Sequence, residues 1–107
     1  MKTITPTELN EQLSKGQAHL TLLDVREDWE TDINHLEGSI FAPMSRMSPS
    51  LLSKLPKDVD TVVICHHGIR SAQVASWLEQ NGHQRVLNLS GGIDAWCRCV
   101  DPGLPQY

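Results

Sequence analysis

The sequence has few cysteines and no long apolar run. Three cysteines stand among 107 residues, and the first residues, MKTITPTELN, lack the apolar segment of a secretory signal. An odd, small cysteine count without such a signal argues against a disulfide-stapled secreted protein. No apolar run approaches the roughly 18 residues of a membrane helix. We therefore expect reduced thiols, a cytoplasmic location and no membrane partner.

The chain also lacks an excess of basic residues. Its formal net charge is -4 at pH 7, whereas nucleic-acid binding usually shows as a basic patch. There is no internal repeat and no low-complexity segment that would indicate an array or a linker. The length is typical of one domain that builds its core without disulfides or metals. We therefore expect a single domain over residues 1–107, with no nucleic-acid partner.

Short apolar runs alternate with helical patterns along the chain. Continuous apolar runs of this kind are typical of strands buried on both faces. Thr5 to Glu8 (TPTE) form a capping box with proline at the first helical position. The predicted strands are 19–25, 39–42, 61–65 and 85–90, and the predicted helices begin near residues 5, 26, 48, 71 and 92. This alternation predicts an α/β fold with a mostly parallel sheet and helices on both faces.

The segment VVICHHGIRSAQ, residues 62–73, carries the main candidate for chemistry. Cys65 closes a predicted strand and Arg70 opens a predicted helix, and ligands of open parallel sheets bind beyond the carboxyl ends of the strands. A cysteine here is a buried hydrophobe, a metal ligand or a nucleophile. Zinc sites need clustered ligands, and adjacent side chains such as those of Cys65, His66 and His67 rarely converge on one ion, so we expect no metal.

The surroundings of Cys65 favour the nucleophile. Gly68 permits a tight turn whose N–H groups form an anion-binding nest, and the helix N-terminus and Arg70 add positive charge. Such surroundings stabilise a thiolate, which is the nucleophilic form of cysteine. The same N–H groups would stabilise charge on a transferred group.

Five segments in order resemble the rhodanese-like family, in particular its single-domain sulfurtransferases. They are LLDVREDWE (22–30), HLEGSI (35–40), CHHGIRS (65–71), VLNLSGGIDAW (86–96) and VDPGLPQY (100–107). The resemblance implies a five-stranded, mainly parallel sheet with helices on both faces. It implies that Cys65 carries a persulfide, and that the side chain of Arg70 and the backbone amides of the loop cradle it. The cradle residues are His66, His67, Gly68, Ile69, Arg70 and Ser71.

The implied function is transfer of a sulfane sulfur from a donor such as thiosulfate to a thiophilic acceptor. The acceptor is cyanide, a small thiol or a protein thiol, and no metal or organic cofactor is implied. Two alternatives stay open. Phosphatases and arsenate reductases similar to this family carry a loop one residue longer, C-x5-R, whereas Cys65 and Arg70 form C-x4-R. A sulfur-carrier or docking module in a larger pathway is the other.

Several charged and histidine side chains have both a structural and a functional interpretation. Asp24 ends a predicted strand at the same rim as Cys65 and either orients Arg70 or the loop, or caps the next short helix. For Arg26 we favour an ion pair over substrate contact. His35 is expected to hydrogen-bond a turn. His66 and His67 either tune the substrate through their side chains or contribute only their backbone.

Cys97 and Cys99 form C-x-C, which invites a metal or redox interpretation. Residues two apart on a helix do not face each other. Cys97 shares the apolar helix face with Ile93, Trp96 and Val100, which predicts core packing for Cys97 and an exposed Cys99. A resolving role for Cys99 toward Cys65 stays open. All three tryptophans are expected in the core.

Overall fold

A computed structural model describes residues 2–16 and 19–107 of the chain; residues 1, 17 and 18 of the predicted 1–107 domain lie outside them. Five parallel strands form one sheet in the order β1-β5-β4-β2-β3. The strands are β1 (Lys2–Ile4), β2 (Leu20–Asp24), β3 (Ile40–Phe41), β4 (Asp60–Ile64) and β5 (Val86–Leu89). The helices are α1 (Pro6–Ser14), α2 (Asp28–Ile33), α3 (Ile69–Gln80) and α4 (Gly92–Cys99). The predicted α/β class and five-stranded parallel sheet are confirmed.

The central strands are buried on both faces. In the β2–β4 register Leu22 stands opposite Val62 and Leu23 opposite Val63. Successive side chains of a strand point to opposite faces, so Leu22 and Val62 enter one core cluster and Leu23 and Val63 the other. This two-sided burial explains why the strands read as continuous apolar runs rather than as alternating ones.

Helices cover each face with an apolar stripe. On one face lie Leu9 of α1 and Ile93, Trp96 and Cys97 of α4. On the other lie Val74, Ala75 and Leu78 of α3, together with Leu51 and Leu55. The capping box at the start of α1 is formed: Glu8 N–H donates to Thr5 Oγ1 (3.1 Å) and Thr5 N–H to Glu8 Oε1 (2.9 Å).

Three local expectations differ from the structure. Strand β1 was not predicted. It has only three residues, of which Ile4 alone is buried, so it shows no strand pattern in the sequence. It forms because it pairs with β5. The helix expected from residue 48 is a 3-10 segment, Pro49–Lys54. The prediction of a buried Trp29 is wrong: it is 61% exposed, and the inner side of the short helix α2 is occupied by Glu30 and Thr31.

The topology brings the candidate residues to one edge. β2 and β4 are neighbouring parallel strands, so the segments that follow them, from Asp24 and from Cys65, leave the sheet side by side. α3 starts four residues after Cys65, and α4 follows β5 at the same edge. Within residues 2–16 and 19–107, no helix combines the length and apolar character of a membrane span.

Candidate active site

Cys65 lies at the base of a tight loop, with only 1% of its surface exposed. The Gly68 N–H donates to Cys65 Sγ at 3.0 Å, and Ser71 Oγ lies 3.2 Å from the same sulfur. Gly68 has φ +102°, a conformation that L side chains rarely adopt. The predicted tight turn is therefore present, and its glycine supplies both the bend and a donor to the sulfur.

The start of α4 holds the outer side of this loop. Ile93 N–H donates to the Cys65 carbonyl at 2.8 Å, and Asp94 N–H to the His66 carbonyl at 3.0 Å. Gly92, with φ +63°, permits this approach, since a Cβ there would lie 2.4 Å from both carbonyl oxygens. Two carbonyls of the loop are thus turned toward α4 and away from the sulfur. This arrangement fits an anion-binding loop whose donors face inward.

Asn88 holds the inner side of the loop, and sequence reasoning missed it. Its Nδ2 donates to the Gly68 carbonyl at 3.1 Å, and its Oδ1 accepts from Ser71 Oγ at 2.5 Å. Because the Ser71 hydroxyl donates to Asn88, the lone pairs of Ser71 face the Cys65 thiol. A signal for Asn88 existed: it is the one amide in the apolar strand Val86–Leu89, and buried amides need partners.

Arg70 is held by Glu30, a second residue that sequence reasoning did not single out. Its Nη1 and Nη2 donate to the two Glu30 oxygens at 2.5 and 2.7 Å. The Glu30 side chain is only 3% exposed, whereas that of Arg70 is 33% exposed. Burial opposes ionisation of Glu30, but hydrogen bonds from Arg70 and Tyr107 outweigh it and lower its pKa to about 2. The hydrogen bonds to Glu30 also raise the pKa of Arg70, so both groups are charged near neutrality.

Asp24 and Arg26 form a fully buried ion pair. Arg26 Nη2 donates to Asp24 Oδ2 at 2.8 Å, and both side chains have no exposed surface. The predicted ion pair of Arg26 is therefore present. Asp24 neither orients Arg70 nor caps α2: its oxygens accept from Arg26, and Glu27 is the residue that caps α2. A role of Asp24 in orienting the loop stays a prediction.

The histidines and Ile69 lie at the outer rim. The His66 and His67 rings are 4.0 Å apart, and Ile69 is 73% exposed. Burial, followed by the neighbouring His67, lowers the pKa of His66. Ligand atoms of His66, His67 and Asp94 lie within 4.8 Å of one another, a set that could take a metal ion. This set does not include Cys65, and its Asp94 already pairs with Arg98 at 3.1 Å. The absence of a metal at Cys65 therefore stays a prediction.

The remaining predicted residues occupy structural positions. Cys97 is buried and Cys99 is exposed, as expected. Burial, reinforced by Asp101 and Asp94, raises the pKa of Cys97. His35 Nδ1 lies 2.9 Å from the carbonyl oxygen of Thr31, so its partner belongs to helix α2 and not to the predicted turn.

Comparison with known proteins agrees with this fold. The model of the rhodanese-like domain matches residues 5–99. The chain belongs to the rhodanese-like family. A rhodanese-like domain protein from Staphylococcus aureus has the same fold, with 34% identity and a TM-score of 0.83 over 100% of this chain and 99% of that one.

Sulfurtransferases stand among the relatives of this rhodanese-like chain. It is 30% identical to the thiosulfate sulfurtransferase GlpE of Haemophilus influenzae over 94% of this chain and 92% of GlpE. It is 39% identical to the probable adenylyltransferase/sulfurtransferase MoeZ of Mycobacterium tuberculosis over 98% of this chain. The chain spans only 27% of the length of MoeZ.

The low pKa of Glu30 makes a prediction about acid stability. A carboxyl whose pKa falls from 4.5 to about 2 on folding stabilises the fold above pH 4.5, and this contribution is lost as pH falls toward 2. The shift corresponds to about 3 kcal/mol. Glu30→Gln should therefore lose stability at pH 6 and show a flatter decline between pH 4.5 and 2, measured by urea unfolding. Glu11→Gln, on the exposed face of α1, is the control. Equal slopes in Glu30→Gln and the unsubstituted protein would contradict the assignment.

Proposed function

We propose that this rhodanese-like protein is a sulfurtransferase that carries sulfur as a persulfide on Cys65. The observation that carries the proposal is the closed loop, in which the Gly68 N–H and the Ser71 hydroxyl both contact the Cys65 sulfur. A donor at 3.0 Å from Sγ stabilises negative charge on that atom or on a sulfur bound to it. Membership of a family with named sulfurtransferases supports the same chemistry.

In the first step the Cys65 thiolate attacks the outer sulfur of a donor such as thiosulfate. A new S–S bond forms to Cys65, the S–S bond within thiosulfate breaks, and sulfite leaves with the bonding electron pair. Thiolate and thiosulfate dianion thus become persulfide anion and sulfite dianion, with no net oxidation. When the thiol has lost its proton, the Ser71 hydroxyl can rotate from Asn88 and donate to the sulfur. The cradle residues 66–71 then surround the persulfide.

In the second step an acceptor attacks the outer persulfide sulfur. Cyanide, a thiolate of a small molecule or a thiolate of a protein takes the sulfur, and the Cys65 thiolate leaves with the electron pair. Cys65 returns to its starting state, so this route uses no metal or organic cofactor. The cycle needs a reduced Cys65, which fits a reducing compartment such as the cytoplasm.

Arg70 is proposed to bind the anionic donor. Glu30 occupies two of its N–H groups, and a guanidinium has five, so donors remain for thiosulfate. The part-exposed guanidinium lies beside the loop that contains Cys65, where its charge favours a dianion over a neutral molecule. The pair of Asp24 and Arg26 is proposed not to touch substrate, because neither side chain has exposed surface.

Mass spectrometry after thiosulfate treatment tests the proposal. The peptide that contains Cys65 should gain about 32 Da, one sulfur atom, which a reductant removes. The peptide with Cys97 and Cys99 is the internal control and should not gain mass. Absence of the adduct on Cys65, together with turnover of an aryl phosphate or of arsenate, would instead support the phosphatase or arsenate-reductase alternative.

Similarity to one part of MoeZ gives a second candidate, a sulfur carrier that serves a protein partner. This candidate uses the same persulfide but predicts slow turnover with thiosulfate and cyanide. Steady-state rates with thiosulfate, compared with rates from a protein persulfide donor, distinguish the two. Faster transfer from the protein donor favours the carrier.

A further inference from the structure

We infer that Tyr107 is a positioning residue that holds the Glu30–Arg70 pair and the His66 ring in place beside the Cys65 loop. The expected effect of this role on sulfur-transfer kinetics rests on the proposed function, whereas its expected effect on the charge near Cys65 does not. Neither the family match, which ends at residue 99, nor any motif described above assigns a role to this side chain.

The Tyr107 hydroxyl bridges two buried charges. It donates to Glu30 Oε2 at 2.6 Å and accepts from Arg26 Nη1 at 3.0 Å. Burial, and then the hydrogen bond to Glu30, raises the pKa of Tyr107 to about 12, so the hydroxyl keeps its proton. It therefore stands as a neutral spacer between the Arg26 cation and the Glu30 anion.

The Tyr107 hydroxyl determines which arginine the Glu30 carboxylate pairs with. Glu30 gives both oxygens to Arg70, and the Tyr107 hydroxyl takes the place on Arg26 that Glu30 would otherwise fill. Without the hydroxyl, the buried Arg26 would lack one acceptor and would attract the Glu30 carboxylate. Arg70, which is part exposed, would then lose the contact that directs it and would turn toward solvent.

The ring of Tyr107 packs against two other rings, those of His66 and Trp29. It stacks on His66 with ring centroids 4.1 Å apart and planes 14° from parallel, and Trp29 meets it edge-on at 5.5 Å. His66 directly follows Cys65 in the sequence, so the stack restrains the side chain of the residue next to the nucleophile. Aromatic contacts in such arrangements stabilise a structure beyond the area that they bury.

The segment before Tyr107 is fastened separately. Asn34 Nδ2 donates to the Pro105 carbonyl at 2.6 Å, and Leu104 packs against the core under α4. These contacts hold the backbone of the tail independently of the Tyr107 hydroxyl. A change confined to that hydroxyl therefore removes the bridge without releasing the segment.

Tyr107→Phe tests the inference, because it removes only the hydroxyl. The probe is alkylation of Cys65 by iodoacetate, an anion, and by iodoacetamide, its neutral counterpart, followed on the Cys65 peptide by mass spectrometry. The ratio of the two rates reports the positive potential at the sulfur. We expect Tyr107→Phe to lower this ratio about fivefold, the factor that corresponds to losing one hydrogen bond of average strength. The KM for thiosulfate should rise by about the same factor, with a smaller change in kcat.

Leu104→Ala is the matched control, because it weakens the same tail without touching the bridge. A fall in stability with an unchanged alkylation ratio is expected. An unchanged or higher ratio in Tyr107→Phe, or an equal fall in Leu104→Ala, would overturn the inference. If the unsubstituted protein forms no persulfide while the ratio still falls in Tyr107→Phe, the proposed function fails and the positioning role stands.

Discussion

Replacing Cys65 by serine is expected to abolish sulfur transfer and leave the fold intact. A serine hydroxyl is not ionised near neutrality and cannot store a sulfur atom as a persulfide, so both half-reactions are lost. The rate of transfer from thiosulfate to cyanide should fall by at least about a thousandfold. The fold should tolerate the change, because Gly68 N–H and Ser71 Oγ, at 3.0 and 3.2 Å from the sulfur, can hydrogen-bond a hydroxyl.

Cys99→Ser is the control for this result, since Cys99 is a second thiol and is exposed. Its activity should equal that of the unsubstituted protein. Retention of sulfur transfer in Cys65→Ser would remove Cys65 from the mechanism. A loss of activity in Cys99→Ser would instead reopen the resolving role for that thiol.

Gly92→Ala is expected to destabilise the protein strongly and to open the Cys65 loop. Its Cβ would lie 2.4 Å from the carbonyl oxygens of Cys65 and His66, and its φ of +63° strains any L side chain. The neighbours are backbone atoms of the loop itself, so relief requires the loop to separate from α4. We expect a loss of at least about 3 kcal/mol in the free energy of unfolding, measured with urea. Persulfide formation on Cys65 should decline with it.

Gly16→Ala separates the steric clash of the new Cβ from the strain of the positive φ. Gly16 also has a positive φ, +107°, but a Cβ there would meet nothing within 4 Å. It should cost only the conformational strain of about 1–2 kcal/mol and leave persulfide formation unchanged. If Gly92→Ala were no worse than Gly16→Ala, the contact between α4 and the loop would not be the constraint that we describe.

Strands β2 to β5 and the candidate nucleophile could be predicted because their signals are local. A run such as VVIC at 62–65 is apolar whatever its neighbours are, and a strand that is buried on both faces needs that composition. The thiol, Gly68 and Arg70 stand within six residues of each other, so the turn and its charge are visible in one segment. The capping box at Thr5 and Glu8 is equally local, and it is formed as predicted.

Glu30, Asn88, Gly92 and Tyr107 could not be assigned in the same way. Glu30 meets Arg70 across 40 positions and Tyr107 across 77, and Asn88 meets Ser71 across 17. No spacing rule connects such positions, because the contacts arise only when β2, β4 and β5 pair and bring their carboxyl ends together. Asp24, which the sequence offered as one possible partner of Arg70, lies at the correct edge of the sheet but is paired with Arg26.

The sequence by itself determined the α/β class, the loop that presents Cys65 and the charge of Arg70, since each depends on residues close together along the chain. The tertiary structure alone decided how that loop is held: by the start of α4 outside, by Asn88 inside, and by Glu30 with Tyr107 around Arg70. The reason is physical. Buried polar and charged groups need hydrogen-bond or ion-pair partners. Which partners lie within reach depends on how the strands are arranged in the sheet.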